Sequence, residues 1–91
     1  MIRLKKAATG VTVTFVLDQE EVPGGPVSVV GDFNSWTPGA HVLRKRSNGT
    51  RSVSVTLPAG ESVRFRYLAE GGRWFDDPDA THDEGGSLLV P

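Results

Sequence analysis

An all-β sandwich of about seven short strands is the fold this sequence predicts, on three observations. Runs such as Val11-Thr12-Val13-Thr14-Phe15-Val16-Leu17 alternate apolar and polar residues with the period of a half-buried strand. Such runs recur at roughly 8 to 12-residue spacing, divided by clusters of Gly, Pro, Asn and Ser. No window has helical periodicity with caps. The pattern fits an immunoglobulin-like topology.

In chain order, residues 1–8 are basic and weakly patterned, which predicts a loose arm or an edge strand. In the strand from Val11, the residues Val11, Val13, Phe15 and Leu17 face one way and the threonines the other. Asp18 to Pro26 contains PGGP, which can continue neither helix nor ladder, and so predicts a loop.

Val27 to Gly31 is the next strand, and Val27-Ser28-Val29-Val30-Gly31-Asp32-Phe33-Asn34-Ser35-Trp36-Thr37-Pro38 organises the chain. Gly31 lets the backbone bend, Asp32 and Asn34 satisfy local N–H groups, and Asn accepts the left-handed region. Phe33 is expected in the core and Trp36 at the rim, because only the indole has a polar edge to satisfy. Thr37-Pro38-Gly39 then turns, and Val42-Leu43 docks against the core.

Asn48-Gly49 is the expected centre of a primed hairpin turn, both residues at positive φ, leading into the strand Arg51–Leu57. Pro58-Ala59-Gly60-Glu61 implies another hairpin, into a strand Ser62–Ala69. There Val63, Phe65, Tyr67 and Ala69 share one face, while Arg64 and Arg66 point together to solvent on the other. Gly71-Gly72 leads to a short strand Arg73-Trp74-Phe75, an acidic loop runs from Asp76 to Gly86, and Ser87–Val90 is the last strand.

Ninety-one residues make a single domain, residues 1–91, too small for a catalytic barrel or a doubly wound sheet. Cysteine is absent, so packing alone must hold the fold. The chain has neither a signal-peptide core nor a membrane-length apolar run, and a cytoplasmic location with no membrane partner is the expectation. Net charge is −1, but seven of the ten basic residues lie between Arg44 and Arg73, and five of the eleven acidic ones between Asp76 and Glu84. A basic face opposite an acidic loop is expected, too balanced overall for nucleic acid.

The two tryptophans, Trp36 and Trp74, both stand at strand ends in polar turns. A flat indole matches the C–H face of a pyranose, and Arg66, on the strand before Trp74, can donate to sugar oxygens. The three form a platform, not a pocket.

Gly31-Asp32-Phe33-Asn34-Ser35-Trp36, followed by Leu57-Pro58-Ala59-Gly60-Glu61, the segment Val63 to Trp74 and Asp76-Asp77-Pro78, resembles the early-set domain at the isoamylase N-terminus. It is similar also to the glycogen-binding domain of the AMP-activated protein kinase β subunit; both are family 48 carbohydrate-binding modules. The likeness runs from Val11 to Val90. It implies an early-set sandwich that binds α-glucan without catalysis, of the kind attached to glycoside hydrolase family 13 enzymes. Trp36 and Trp74 match the stacking tryptophans, Arg66 the position of a sugar-contacting lysine, and Asp77-Pro78 a structural turn. Two departures stand out: the Glu70-Gly71-Gly72-Arg73 turn is one residue longer, and Asp83-Glu84-Gly85-Gly86-Ser87 replaces a glucan-clasping loop. Weakened affinity is the expectation.

The expected ligand is thus glycogen, starch or a maltooligosaccharide, with Trp36, Arg66 and Trp74 as binding residues and Gly31, Asn34, Asp77 and Pro78 as turn residues. A reading from another class uses the same aromatic face to dock on a glucan-metabolising enzyme or other partner, as monomer or weak dimer. Catalysis is not expected. Glycoside hydrolysis needs two carboxyls across the scissile bond, whereas Asp76, Asp77, Asp79, Asp83 and Glu84 share one loop and Asp32 caps a turn. His41 and His82 lack ligand spacing and are read as ordinary surface residues. Asp77-x-Asp79 opens like a calcium loop but has His82 where glycine is required, so no metal or cofactor is expected.

Overall fold

The computed structural model describes residues 2–18, 25–70, 72–77 and 80–91. Among these, nine strands form two antiparallel sheets, two more than the sequence suggests, because two-residue ladders also pair. The strands are β1 (Ile2–Ala7), β2 (Gly10–Asp18), β3 (Val27–Gly31), β4 (Arg44–Lys45), β5 (Thr50–Leu57), β6 (Val63–Ala69), β7 (Arg73–Phe75), β8 (His82–Asp83) and β9 (Gly86–Leu89). One sheet runs β1-β2-β5-β4. The other runs β3-β6-β9-β8, with β7 sharing the β9 side of β6.

Alternation sends Val13, Phe15 and Leu17 of β2 inward to meet Val63, Phe65, Tyr67 and Ala69 of β6 in one core. Residues 2–7 are no loose arm: β1 pairs with β2 from Ile2↔Phe15 to Ala7↔Gly10, forming an edge strand with Arg3, Lys5 and Lys6 exposed. Leu43 is buried in the core, whereas Val42 bridges Ser28 and stays exposed. Neighbours on both sides and a covered outer face leave β3 buried throughout.

Three local expectations are corrected. Leu57 to Glu61 does not close a hairpin, because β5 pairs with β2 and β4 while β6 belongs to the other sheet. The chain arches across the core there, with Gly60 at φ +80° and its N–H donated to the Pro91 carbonyl at 2.8 Å. At the β4–β5 turn only Gly49 has positive φ (83°). Gly49 N–H donates to Arg46 O and Arg46 N–H to Thr50 O, a three-residue loop with a left-handed glycine, and Asn48 Oδ1 instead accepts from Thr50. The basic residues form no single face, since Arg44, Lys45 and Arg51 lie on the first sheet and Arg64, Arg66 and Arg73 on the second. Of the expected loop Asp18 to Pro26, residues 19–24 lie outside the described residues, as do Gly71, Pro78 and Asp79.

The role of Gly31 differs from the expected bend. Its φ of −170° is ordinary extended backbone, but a Cβ there would lie 2.4 Å from the Arg64 carbonyl oxygen and 2.9 Å from Phe65 Cβ. Glycine is needed for close approach to β6. Gly31→Ala is expected to cost about 1 to 3 kcal/mol through overpacking, read as a lower urea midpoint at unchanged slope.

Candidate functional site

The turn after β3 is built around one amide. A 3-10 turn spans Asp32–Asn34. Asn34 Oδ1 accepts the Gly31 N–H at 3.0 Å, while its Nδ2 donates to Val29 O at 3.0 Å and lies 3.0 Å from His41 Nδ1. His41 is therefore not an ordinary surface residue. It is half-buried, its ring meets Phe33 edge-on at 5.6 Å, and its carbonyl accepts the Val29 N–H. Phe33 goes inward as expected and stacks on Phe15 at 5.7 Å.

The left-handed positions fall on Ser35 (φ 55°) and Trp36 (φ 56°) rather than on Asn34. Neither is a residue that favours that region, so the surrounding bonds must hold them there. Trp36 N–H donates to Gly31 O at 2.9 Å, and its indole Nε1–H to Asp32 Oδ1 at 2.9 Å. The second oxygen of Asp32 accepts the Arg64 N–H at 2.9 Å. One carboxylate thus ties the Trp36 ring to the start of β6. Sequence reasoning saw only a turn cap in Asp32, since its partner lies 32 residues away.

Trp74 stands on β7 opposite Leu68, on the sheet face turned away from the core. It is 46% exposed and Trp36 36%. Arg66 lies on that same outer face, opposite Val30, which is fully buried yet outside the core cluster. Arg66 and Trp74 thus share one sheet surface, and Trp36 is tied through Asp32 to the first peptides of β6. From Arg64, to which Trp36 is tied through Asp32, up to Leu68 beside Trp74 is about 13 Å along β6.

The arginines share that face as predicted but do not simply point to solvent. Arg64 Nη1 donates to Asp83 Oδ1 at 2.8 Å and to Gly86 O at 3.2 Å. Arg66 Nη2 donates to Glu84 O at 2.7 Å and Asp83 O at 3.5 Å; its buried Nε lies 3.5 Å from Asp76 Oδ1, an ion pair without a hydrogen bond. Both guanidiniums strap the β8–β9 turn onto the outer face. Of the Arg66 side-chain nitrogens, Nη1 alone has neither a hydrogen bond nor an ion pair among the described residues.

Asp77, expected in a turn, is tied into the sandwich by both its backbone and its side chain. Its carbonyl accepts Ala80 N–H, but its carboxyl is fully buried, accepting the Tyr67 hydroxyl at 2.5 Å, while its N–H donates to Ser87 Oγ. Nothing local in the sequence marks that burial. Pro78, its predicted companion, is outside the described residues. His82 is exposed as expected, with Nδ1 3.2 Å from Ala80 O. Among the described residues, no three His, Asp or Glu side chains gather as a metal ion would require.

No protein-family model matches the chain. It is similar to an α-amylase of Niallia circulans, 36% identical over 70 residues, covering 69% of this chain and 5% of the amylase. It is also similar to a 1,4-α-glucan branching enzyme GlgB of Salinibacter ruber, 41% identical over 54 residues, covering 58% of this chain and 8% of the enzyme. A rice 1,4-α-glucan-branching enzyme of the chloroplast or amyloplast is 29% identical over 55 residues, covering 53% of this chain and 7% of the enzyme. The chain thus spans only 5 to 8% of the length of these curated relatives.

The β8–β9 strap carries an acid-sensitive contact. The Gly85 N–H holds the Asp83 carboxyl below its ordinary value of 3.8; desolvation opposes it, and the Arg64 guanidinium adds a lesser downward pull. A depressed folded-state pKa stabilises above the unfolded value, and that contribution fades as pH falls through 3.8 towards the folded value. A carboxyl-carbon NMR titration is expected to place the Asp83 midpoint below 3.8, with Gly85 amide protection lost in step. In Asp83→Asn that loss of protection should disappear.

Proposed function

We propose that this chain is a non-catalytic α-glucan-binding module whose platform is the outer face of the second sheet, with Trp36, Arg66 and Trp74 in contact with sugar. Trp74 carries the reading. It is a large aromatic, 46% exposed, held on a strand by ladder pairing with Leu68 and not on a free loop. The strand that carries the ring is paired before any ligand arrives, and an exposed indole face suits the C–H face of a pyranose. Trp36 has its polar edge satisfied by Asp32, so its contribution to a ligand is the apolar ring.

Arg66 offers less than the sequence suggested. Its Nη2 and Nε are engaged by the late turn and Asp76, which leaves Nη1 to donate to a sugar hydroxyl. The similarity to segments of an α-amylase and of 1,4-α-glucan branching enzymes supports an α-glucan as the ligand class. The carboxylates support a non-catalytic role: Asp32 is bound to Trp36 and Arg64, Asp77 is buried on Tyr67, and Asp83 is bound to Arg64. Each is used by the fold, and none is held across an open cleft from another.

Docking on a glucan-metabolising enzyme is a second reading, favoured by an open hollow of about 480 Å³ at the β1 edge lined by Leu4, Ala7, Val11, Ala59 and Pro91. It lies on the first sheet, away from both tryptophans.

Titration with maltoheptaose tests the first reading. Saturable changes in indole fluorescence and in the amide shifts of Arg66 and Trp74 are expected, with Trp74→Ala weakening binding by about tenfold or more, a loss of at least ~1.4 kcal/mol. Trp36→Ala should weaken it less. Silence of both indoles at millimolar sugar would overturn the reading in favour of docking.

A further inference from the structure

The strand register sets a second direction across the outer face. Leu68 pairs with Trp74 on one side and with Ser28 on the other, and Ser28 is bridged to Val42. Paired residues share a face, so Trp74, Leu68, Ser28 and Val42 form one row running across the strands, about 14 Å long at three strand spacings. The ends of this row are open, with Val42 42% exposed and Trp74 46%. At the Val42 end lies a hollow of about 200 Å³ bounded by Leu68, Ser28, Pro38, Gly39, Val42 and Glu70.

The other direction runs along β6 from Trp74 towards Trp36. It runs past Arg66 and Arg64, whose guanidiniums hold the Asp83–Gly86 turn against the sheet. Towards Val42 the Pro38–Gly39 turn lies over the row, the Gly39 N–H donating to the buried Ser28 Oγ at 3.4 Å, and it forms the far wall of the hollow that Leu68 borders.

We propose that the hollow between Leu68, Pro38 and Val42 is an additional sugar subsite, occupied by further glucose units of the same α-glucan one of whose rings stacks on Trp74. This rests on the α-glucan reading above and adds a second direction in which the chain extends from Trp74. The floor is apolar at Pro38, Val42 and Leu68, which suits pyranose C–H faces, and the exposed Glu70 carboxylate at its rim accepts hydrogen bonds from sugar hydroxyls. No basic side chain borders the hollow, so it fits a neutral polyol better than a phosphate or an acidic peptide. The row has room for more than one ring. A longer oligosaccharide therefore gains contacts that a short one lacks.

The test compares maltotriose with maltoheptaose by amide shift mapping on the intact chain. Maltotriose is expected to perturb Trp74 and Leu68, whereas maltoheptaose also perturbs Gly39 and Val42 and binds more tightly. Val42→Ala, at an exposed position, should lower maltoheptaose affinity by about three- to tenfold while leaving maltotriose unchanged. Gly39 and Val42 silent at saturating maltoheptaose, with Trp74 responding, would overturn the subsite alone. Trp74 silent as well would overturn both the subsite and the α-glucan reading.

Discussion

The Asn34 side chain carries the constraint on which both the turn and the placement of Trp36 depend. Its carbonyl takes the Gly31 N–H, and its amino group reaches the Val29 carbonyl and the His41 ring. A strand end is thereby closed on itself by one residue, at a point where Gly31 already touches the β6 backbone too closely for any Cβ. Aspartate could accept at Oδ1 but could not donate to Val29, and alanine would do neither. With the turn closed, Ser35 and Trp36 are held at left-handed φ, and Asp32 fixes both the indole and the first peptide of β6. The position of Trp36 is a product of these bonds, not of its own preference.

The outer face shows one chemistry divided between two uses. Arginine at position 66 has five N–H donors in a rigid fork; those on Nη2 go to the Asp83 and Glu84 carbonyls, and the Nε–H is buried beside Asp76 without a hydrogen bond. The Arg64–Asp83 pair is exposed and contributes little to global stability; its effect is local, holding the Asp83–Gly86 turn against the outer face beside Arg66.

Local patterns made much of this legible. Alternation in Val11–Leu17 and Ser62–Ala69 gave the inward faces, and Phe33 and Trp36 separated as their polar character required. What escaped was long-range or relational. Pro58 to Gly60 reads as a hairpin turn because the residues that reverse a chain within a sheet also carry it between sheets, and only pairing with β2 or β3 decides. His41 looked like a surface residue because its partners Asn34 and Phe33 are chosen by the fold of the turn. Asp77 looked like half of a turn signal because its burial depends on Tyr67, ten residues earlier on a neighbouring strand. For the platform, the shared face of Arg66 and Trp74 follows from register, which no single strand's pattern contains.

The core aromatics join the two tryptophan-bearing segments. Phe33 stacks on Phe15 at 5.7 Å, Phe15 meets Tyr67 edge-on at 6.4 Å, and Tyr67 meets Phe75 at 5.3 Å. Phe33 lies three residues before Trp36, and Phe75 directly follows Trp74. Both indoles are therefore carried on the ends of one continuous array of rings that spans the two sheets. They belong to a single cooperative unit of opening: an excursion that frees either segment has to break the array, and the spacing between the two rings melts as a whole instead of drifting.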